Sequence, residues 1–318
     1  VTAAVFEGQY KWHPAADDRR LAQACVDVRA GRYLSASETL KDARWDFDLR
    51  SHRSLVLASE AADSDLTERW LAEVADAESA LMWARVAVLR VTRMAATDDP
   101  RLIPLVRIAM AACERAAEEF PEDPTPWVAQ LSMARLLHYR DPAPHGMMLA
   151  PPGPWSLFSR ILSLDPWNRE AHHRMLPFFF ERNGGSKPAT WDVAHFLGQR
   201  APVSSPLRLL PLVALVEDHD PKALLADHIW QQPAWRTTAA NAYHNWFPDT
   251  ADYRFTPVLD LSYLAHALFM ANLEFEARAV LTAMGPYAAR MPWSTFGHAQ
   301  QQLTRARRLC GLGTPEKT

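Results

Sequence analysis

The sequence holds three cysteines, Cys25, Cys113 and Cys310, odd in number and far apart. A disulfide framework or a zinc site needs closer, paired thiols, so free cysteines in a reducing compartment are expected. No excess of basic charge is present either. The formal net charge is -3, and no dense basic stripe occurs, which argues against a nucleic-acid partner. Lysine itself is scarce, with five among 34 basic residues, which reads as coding bias more than functional choice. No stretch approaches the roughly 18 uninterrupted apolar residues that a membrane span requires. The segment before Asp18 has no basic cluster followed by an apolar run, so no secretory leader is expected and the chain is read as cytoplasmic.

Strand signals are also missing. No run alternates β-branched or aromatic residues with polar ones between turn residues. Apolar residues three and four apart occur instead, over 21–30, 71–94, 102–120 and 127–139. They recur over 167–180, 191–200, 207–216, 258–271, 277–287 and 296–309. Helix breakers separate these segments at Asp99-Pro100, at 120–124 (FPEDP), at Asp165-Pro166, at Asn183-Gly184-Gly185-Ser186 and at Asp220-Pro221. In the glycine pair, one residue suits a left-handed helix end, and Ser186 suits the cap of the next helix. The longest irregular stretch, 140–154, carries five prolines and two glycines, so it is a linker or a loop folded over one face. The pattern predicts one all-α domain over 10–312 with about 14 to 16 helices, a subdivision near 140–154 being the alternative. Residues 1–9 and 313–318 are expected to be flexible.

Ala109, Ala116, Pro121 and Trp127 follow the spacing Ala-x6-Ala-x4-Pro-x5-Trp. Phe158, Ile161, Pro166 and His172 occupy matching positions, Gly31, Tyr33, Ala36, Leu40 and Ala43 suggest a further unit, and Ala265, Ala277 and Leu281 a degenerate one. This resembles a degenerate tetratricopeptide array, and the chain is similar to bacterial helical-repeat proteins of this length. The resemblance covers about half the chain. Pro121 and Pro166 lie 45 residues apart, more than the roughly 34 of a regular unit. It implies a right-handed α-α superhelix of stacked antiparallel helix pairs, with small-residue seams inside the pairs and a concave groove along the first helices.

No catalytic motif is found: HExxH, an EF-hand loop and GxSxG are all absent, and no cysteine has an evident histidine partner. The carboxylate and histidine cluster at 217–220 and 227–228 reads as a capped turn. The twelve tryptophans read as fillers between helix pairs. No metal or cofactor is expected. The resemblance implies groove-facing positions at Val128, Ser132 and Arg135, at His173, Pro177, Phe180 and Glu181, and at Ser262, His266 and Phe269. Of these, Arg135, His173, Phe180, Glu181 and His266 are the expected contacts for a protein or peptide partner. Dimerisation through an end unit is an alternative use. A second reading is an all-helical enzyme or small-ligand sensor whose pocket lies under 140–154, with His138, Arg140, His145, His172 and His173 as its polar groups.

Overall fold

The computed structural model describes residues 10–95, 101–137, 139–147, 152–220, 226–251, 255–313 and 315. The expected positions His138, Asp99, Pro100 and Pro221, and the side chain of Asp227, lie outside what is described. The fold is all-α, and among the described residues the only sheet-like pairings are two isolated bridges. Contacts divide the chain into two units. One is Asp18–Ala189; the other joins the N-terminal stretch up to Asp17 to Thr190–Thr318.

The first unit holds α1 (Arg19–Arg29), α2 (Leu34–Asp42), α3 (Phe47–Ala61), α4 (Leu66–Glu73), α5 (Ala77–Met94), α6 (Leu102–Glu119), α7 (Thr125–Leu131), α8 (Trp155–Leu164) and α9 (Arg169–Phe179). Helix α10 (Lys187–Arg200) starts there and continues into the other unit, which adds α11 (Leu210–Glu217), α12 (Pro233–Asn245), α13 (Val258–Met270), α14 (Glu274–Met284) and α15 (Ala299–Leu309). Many consecutive helices pack on each other, most extensively α5 on α6 and α13 on α14.

The α5–α6 contact shows why alanine is abundant. Ala80, Ala84 and Ala87 of α5 meet Ala109, Ala112, Cys113 and Ala116 of α6, and all are buried. Side chains this short let two helix backbones approach closely, and the surrounding Val88, Val91 and Met133 fill what remains. Burial pushes the Cys113 thiol up to about 12, the nearby charges of Arg85 and Glu114 being smaller influences, so it behaves as a small apolar residue.

Helix ends follow local chemistry. The apolar spacing over 71–94 predicts one helix, but the chain breaks between Glu73 and Ala77. Asp76 accepts from the Ser79 amide at 2.9 Å while the Ser79 hydroxyl accepts from the Asp76 amide at 3.1 Å, a capping box that starts α5 anew. Beyond α9, Gly184 takes φ +86° and the Ser186 hydroxyl accepts from the Ala189 amide, as its sequence suggests. The expected helix over 127–139 is shorter: α7 ends at Leu131, and turns follow to 137.

Helix α3 is the hub of the first unit, touching α1, α2, α5, α7 and α9. Its inner face mixes apolar with polar residues. Arg50, Ser51, Arg53 and Ser54 are all buried. Arg53 bonds Asp18 at 2.7 Å and Asp42 at 2.9 Å. Arg50 Nε donates to Asp123 at 2.6 Å, and its Nη1 reaches the Leu40 carbonyl at 3.1 Å. Arg85 of α5 forks onto both oxygens of Glu170 on α9, at 2.9 and 2.7 Å, and Ser51 donates to the same carboxylate at 2.6 Å. The mixed charge of the sequence suggests solvated helix faces; here part of it is interior, where Arg50 meets Asp123, Arg53 meets Asp18 and Asp42, and Arg85 meets Glu170. Burial alone would raise the Glu170 carboxyl, but Arg85, Arg174 and the hydrogen bonds from Arg85 and Ser51 hold it down at about 2.

In the other unit Trp230, Trp246 and Trp293 are fully buried. The Trp293 indole donates to the Ser262 hydroxyl at 2.7 Å. Lys11 pairs with Tyr287, its amide donating to the Pro286 carbonyl and its own carbonyl accepting from Ala288.

Candidate functional site

Three helices of the first unit and the chain around Tyr139 wall a cleft of about 540 Å³. Helix α6 presents Glu114, Ala117 and Glu118, which the 3.6-residue period places on one face. Helix α7 supplies Trp127 and Gln130, and α8 supplies Ser156, Leu157 and Arg160.

The turn between α6 and α7 fixes the angle of two walls. Asp123, buried, accepts from the Thr125 amide at 2.8 Å, and Pro124 and Pro126 then set the first turn of α7. The other oxygen of Asp123 receives Arg50, so the hub helix holds this turn. On the opposite wall the 140–154 segment is clasped at its base. Asp141 and Gly153 exchange two backbone hydrogen bonds, at 3.1 and 2.9 Å, and the Asp141 carboxylate accepts from the Ser156 amide at 2.9 Å. A carboxylate there also suits the positive end of α8. Gly153 sits against Phe178 and Phe179, where a Cβ would come within 3.0 Å of the Phe179 ring.

Within the cleft, the Arg160 guanidinium lies 3.6 Å from the centre of the Trp127 ring, a cation–π contact. Gln130 Nε2 donates to the Tyr139 hydroxyl at 3.2 Å, whereas Gln130 Oε1 is buried, with no hydrogen-bond partner among the described residues. Burial raises the Tyr139 phenol, against a smaller lowering by Gln130, so it stays a neutral hydroxyl. Among the described residues the lining contains neither histidine nor cysteine. Among the described residues the walls offer acceptors, one planar cation and one indole face.

Comparison of the chain with protein-family models, with curated proteins and with solved structures gives no match. The functional reading therefore rests on the residues themselves.

None of the positions expected on a groove lines this cleft. Arg135 and Glu181 are exposed, and His173 is half-buried. Phe180 is buried, with the Arg182 guanidinium 4.9 Å from its ring centre. Val128 is wholly buried, because α7 turns that side inward and shows Trp127 and Gln130 to the cleft instead. His266 and Ser262 also depart from expectation. His266 is 2% exposed, with its ring 5.2 Å from Trp230, 5.1 Å from Trp293 and 4.3 Å from Phe296. Helix α13 is apolar almost all round, so no face of it is left for solvent over Leu261–Leu268. Burial, aided by neighbouring His219, holds the His266 imidazole down at about 3. Of the second set of expected polar groups, none of the described residues lines the cleft. Arg140 and His145 flank it in sequence without lining it, and His172 is buried between Phe158 and Trp167.

The cleft residues had one legible signal, two glutamates four apart on a predicted helix. Gln130, Tyr139 and Arg160 come from three separate segments, which sequence spacing alone does not bring together.

Proposed function

We propose that this protein is a non-catalytic binding module and that the cleft between α6, α7 and α8 holds a segment of a protein partner. The observation that carries the reading is the wall of the cleft itself: the Arg160 guanidinium stacked 3.6 Å from the centre of the Trp127 ring, beside a space of about 540 Å³, large enough for several side chains. The exposed carboxylates of Glu114 and Glu118 on the facing helix offer acceptors, and extended peptide backbones carry donors at every residue but proline. The Trp127–Arg160 pair provides the kind of aromatic and arginine anchor that dominates protein interfaces.

The finer architectural reading, a tetratricopeptide-like array of stacked pairs, has support from the α1–α2, α5–α6 and α13–α14 contacts and the alanine seam. Contact between α3 and α9 is a departure from nearest-neighbour stacking, so the first unit closes on itself more than a regular array does. We place the partner in the α6–α8 cleft for this reason, not along a continuous concave face.

A displayed-peptide selection on the purified protein tests the proposal. Ser156, exposed at the first turn of α8, is replaced by tryptophan to fill the cleft mouth. Selected peptides should bind Ser156→Trp about tenfold or more weakly, a loss of about 1.4 kcal/mol, while its thermal melt is unchanged. Equal binding by the variant, or no peptide selected at all, refutes the cleft as the binding site.

A further inference from the structure

The outward side of α6 changes character along its length. In its second half the exposed residues are Glu114, Glu118 and Glu119, as an ordinary solvated face requires. In its first half they are Ile103, Pro104, Arg107, Ile108 and Ala111. Ile103 is 67% exposed and Ile108 47%, so two large apolar side chains face outward with one cation between them. Half-buried Leu105, Val106 and Met110 widen this strip towards the α5–α6 seam. A contiguous apolar strip with charge beside it marks a contact with another macromolecule.

We propose that the strip is covered by α6 of a second copy of this chain, the two helices lying antiparallel about a two-fold axis near Ala111. The proposal goes beyond the peptide reading and does not depend on it. The order of charges selects the occupant. Arg107 stands four residues before Ala111 and Glu114 three after it, and among the described residues neither has an ion pair. In an antiparallel pair centred there, Arg107 of each copy lies beside Glu114 of the other, so one favourable contact forms twice. A parallel pair would instead set like charges side by side. The same order runs against the dipole of α6 itself. Its first turn holds no acidic residue, and its last turn holds no basic one and carries Glu118 and Glu119. On a lone helix that placement is unfavourable; beside an antiparallel neighbour, the glutamates meet the positive end of the other helix. Ile103 and Ile108 then pack into the facing grooves, and Ala111 is small enough to let the axes approach. Glu114 also lines the cleft, so the second copy brings a cation to the cleft's edge. A helix of 18 residues is about 27 Å long. One such pair makes a small interface, which suits a reversible dimer with a dissociation constant on the order of 10 μM.

Sedimentation velocity of the intact chain, without peptide, over about 1 to 500 μM reads this equilibrium. The wild type should pass from monomer to dimer across the range. Arg107→Glu and Glu114→Arg, both at exposed positions, should each weaken the dimer about tenfold or more. Mixed in equal amounts, the two variants should recover the wild-type constant, because every reversed charge then meets an opposite one. The double variant Arg107→Glu/Glu114→Arg should recover it on its own. Ile108→Asp should leave only monomer. A wild type that stays monomeric throughout overturns the inference. So does a dimer that neither reversal weakens, or a mixture that associates no better than its components.

Discussion

Removing Arg85 should destabilise the first unit far more than removing Arg85 and Glu170 together. The pair is bidentate, at 2.9 and 2.7 Å, and buried between α3, α5 and α9. Arg85→Met leaves Glu170 with Ser51 and Arg174 only, and Arg174 is the more exposed of its two arginines. Stranding one member of a buried pair costs about 3–5 kcal/mol. The Glu170 carboxyl falls from 4.5 in the unfolded chain to about 2 in the fold, which corresponds to about 3 kcal/mol. Because the folded value is the lower one, this stabilisation is present above pH 4.5 and is lost as pH falls towards 2. Replacing both residues with methionine exchanges the ion pair for apolar contact of similar bulk, so the double variant should lose about 2 kcal/mol or more less than the sum of the singles. Urea unfolding of the wild type, Arg85→Met, Glu170→Met and the double variant supplies the cycle, with hydrogen exchange in α3 and α9 locating the effect. Additive singles, within about 0.5 kcal/mol, would refute the assignment of this pair as a coupled element.

Three further outcomes follow from other parts of the structure. Burial depresses the imidazoles of His172 to about 4, with the Asn168 carbonyl opposing, and of His266 to about 3; below pH 6.5 the unfolded chain binds these protons and the fold does not, so the unfolding free energy from urea titrations should drop by about 1 kcal/mol per pH unit per histidine between pH 6 and 5, and a flat profile would contradict the burial. Gly184→Ala strains a left-handed position with open space around it and should cost about 1 kcal/mol, whereas a Cβ at Gly185 would lie 2.0 Å from the Phe179 carbonyl oxygen, so Gly185→Ala should lower the thermal midpoint more than Gly184→Ala. Ala116→Leu inserts three carbons into the α5–α6 seam, where Ala116 is 2% exposed, and should cost about 1–3 kcal/mol in chemical denaturation; tolerance of the leucine would mean that the seam is loosely packed.

The sequence makes some elements legible and hides others for identifiable reasons. Helix α6, expected over 102–120, runs over Leu102–Glu119, because apolar spacing, terminal breakers and alanine content agree there. Helix α13 is read equally well, from its start near Pro257 to its end at Met270. Helix α3 escapes the same method. Its buried face carries two arginines and two serines, so a search for apolar periodicity finds little in it, although it is the hub of its unit. The aromatic count points to tryptophans as fillers, which suits Trp70, Trp230, Trp246 and Trp293. Trp45 breaks that reading: it is 68% exposed and lies edge-on to Phe120. The expected groove placed His266 outward by analogy of register with other units, but an all-round apolar helix has no outward face to give it.

The interior charges and the cleft are linked through one residue. Asp123 caps α7 with one carboxylate oxygen and receives Arg50 of the hub helix with the other. Without that second bond, the first turn of α7 would still be preset by Pro124 and Pro126, but its direction relative to α6 would not be held from below. Trp127 and Gln130 lie within seven residues of Asp123, so the placement of the indole and of the amide that bonds Tyr139 depends on a charge pair away from the cleft. A hydrophobic replacement at Arg50 and Asp123 could equal the pair in stability. It would not reproduce the directional bond, which is the property a preformed binding cleft requires.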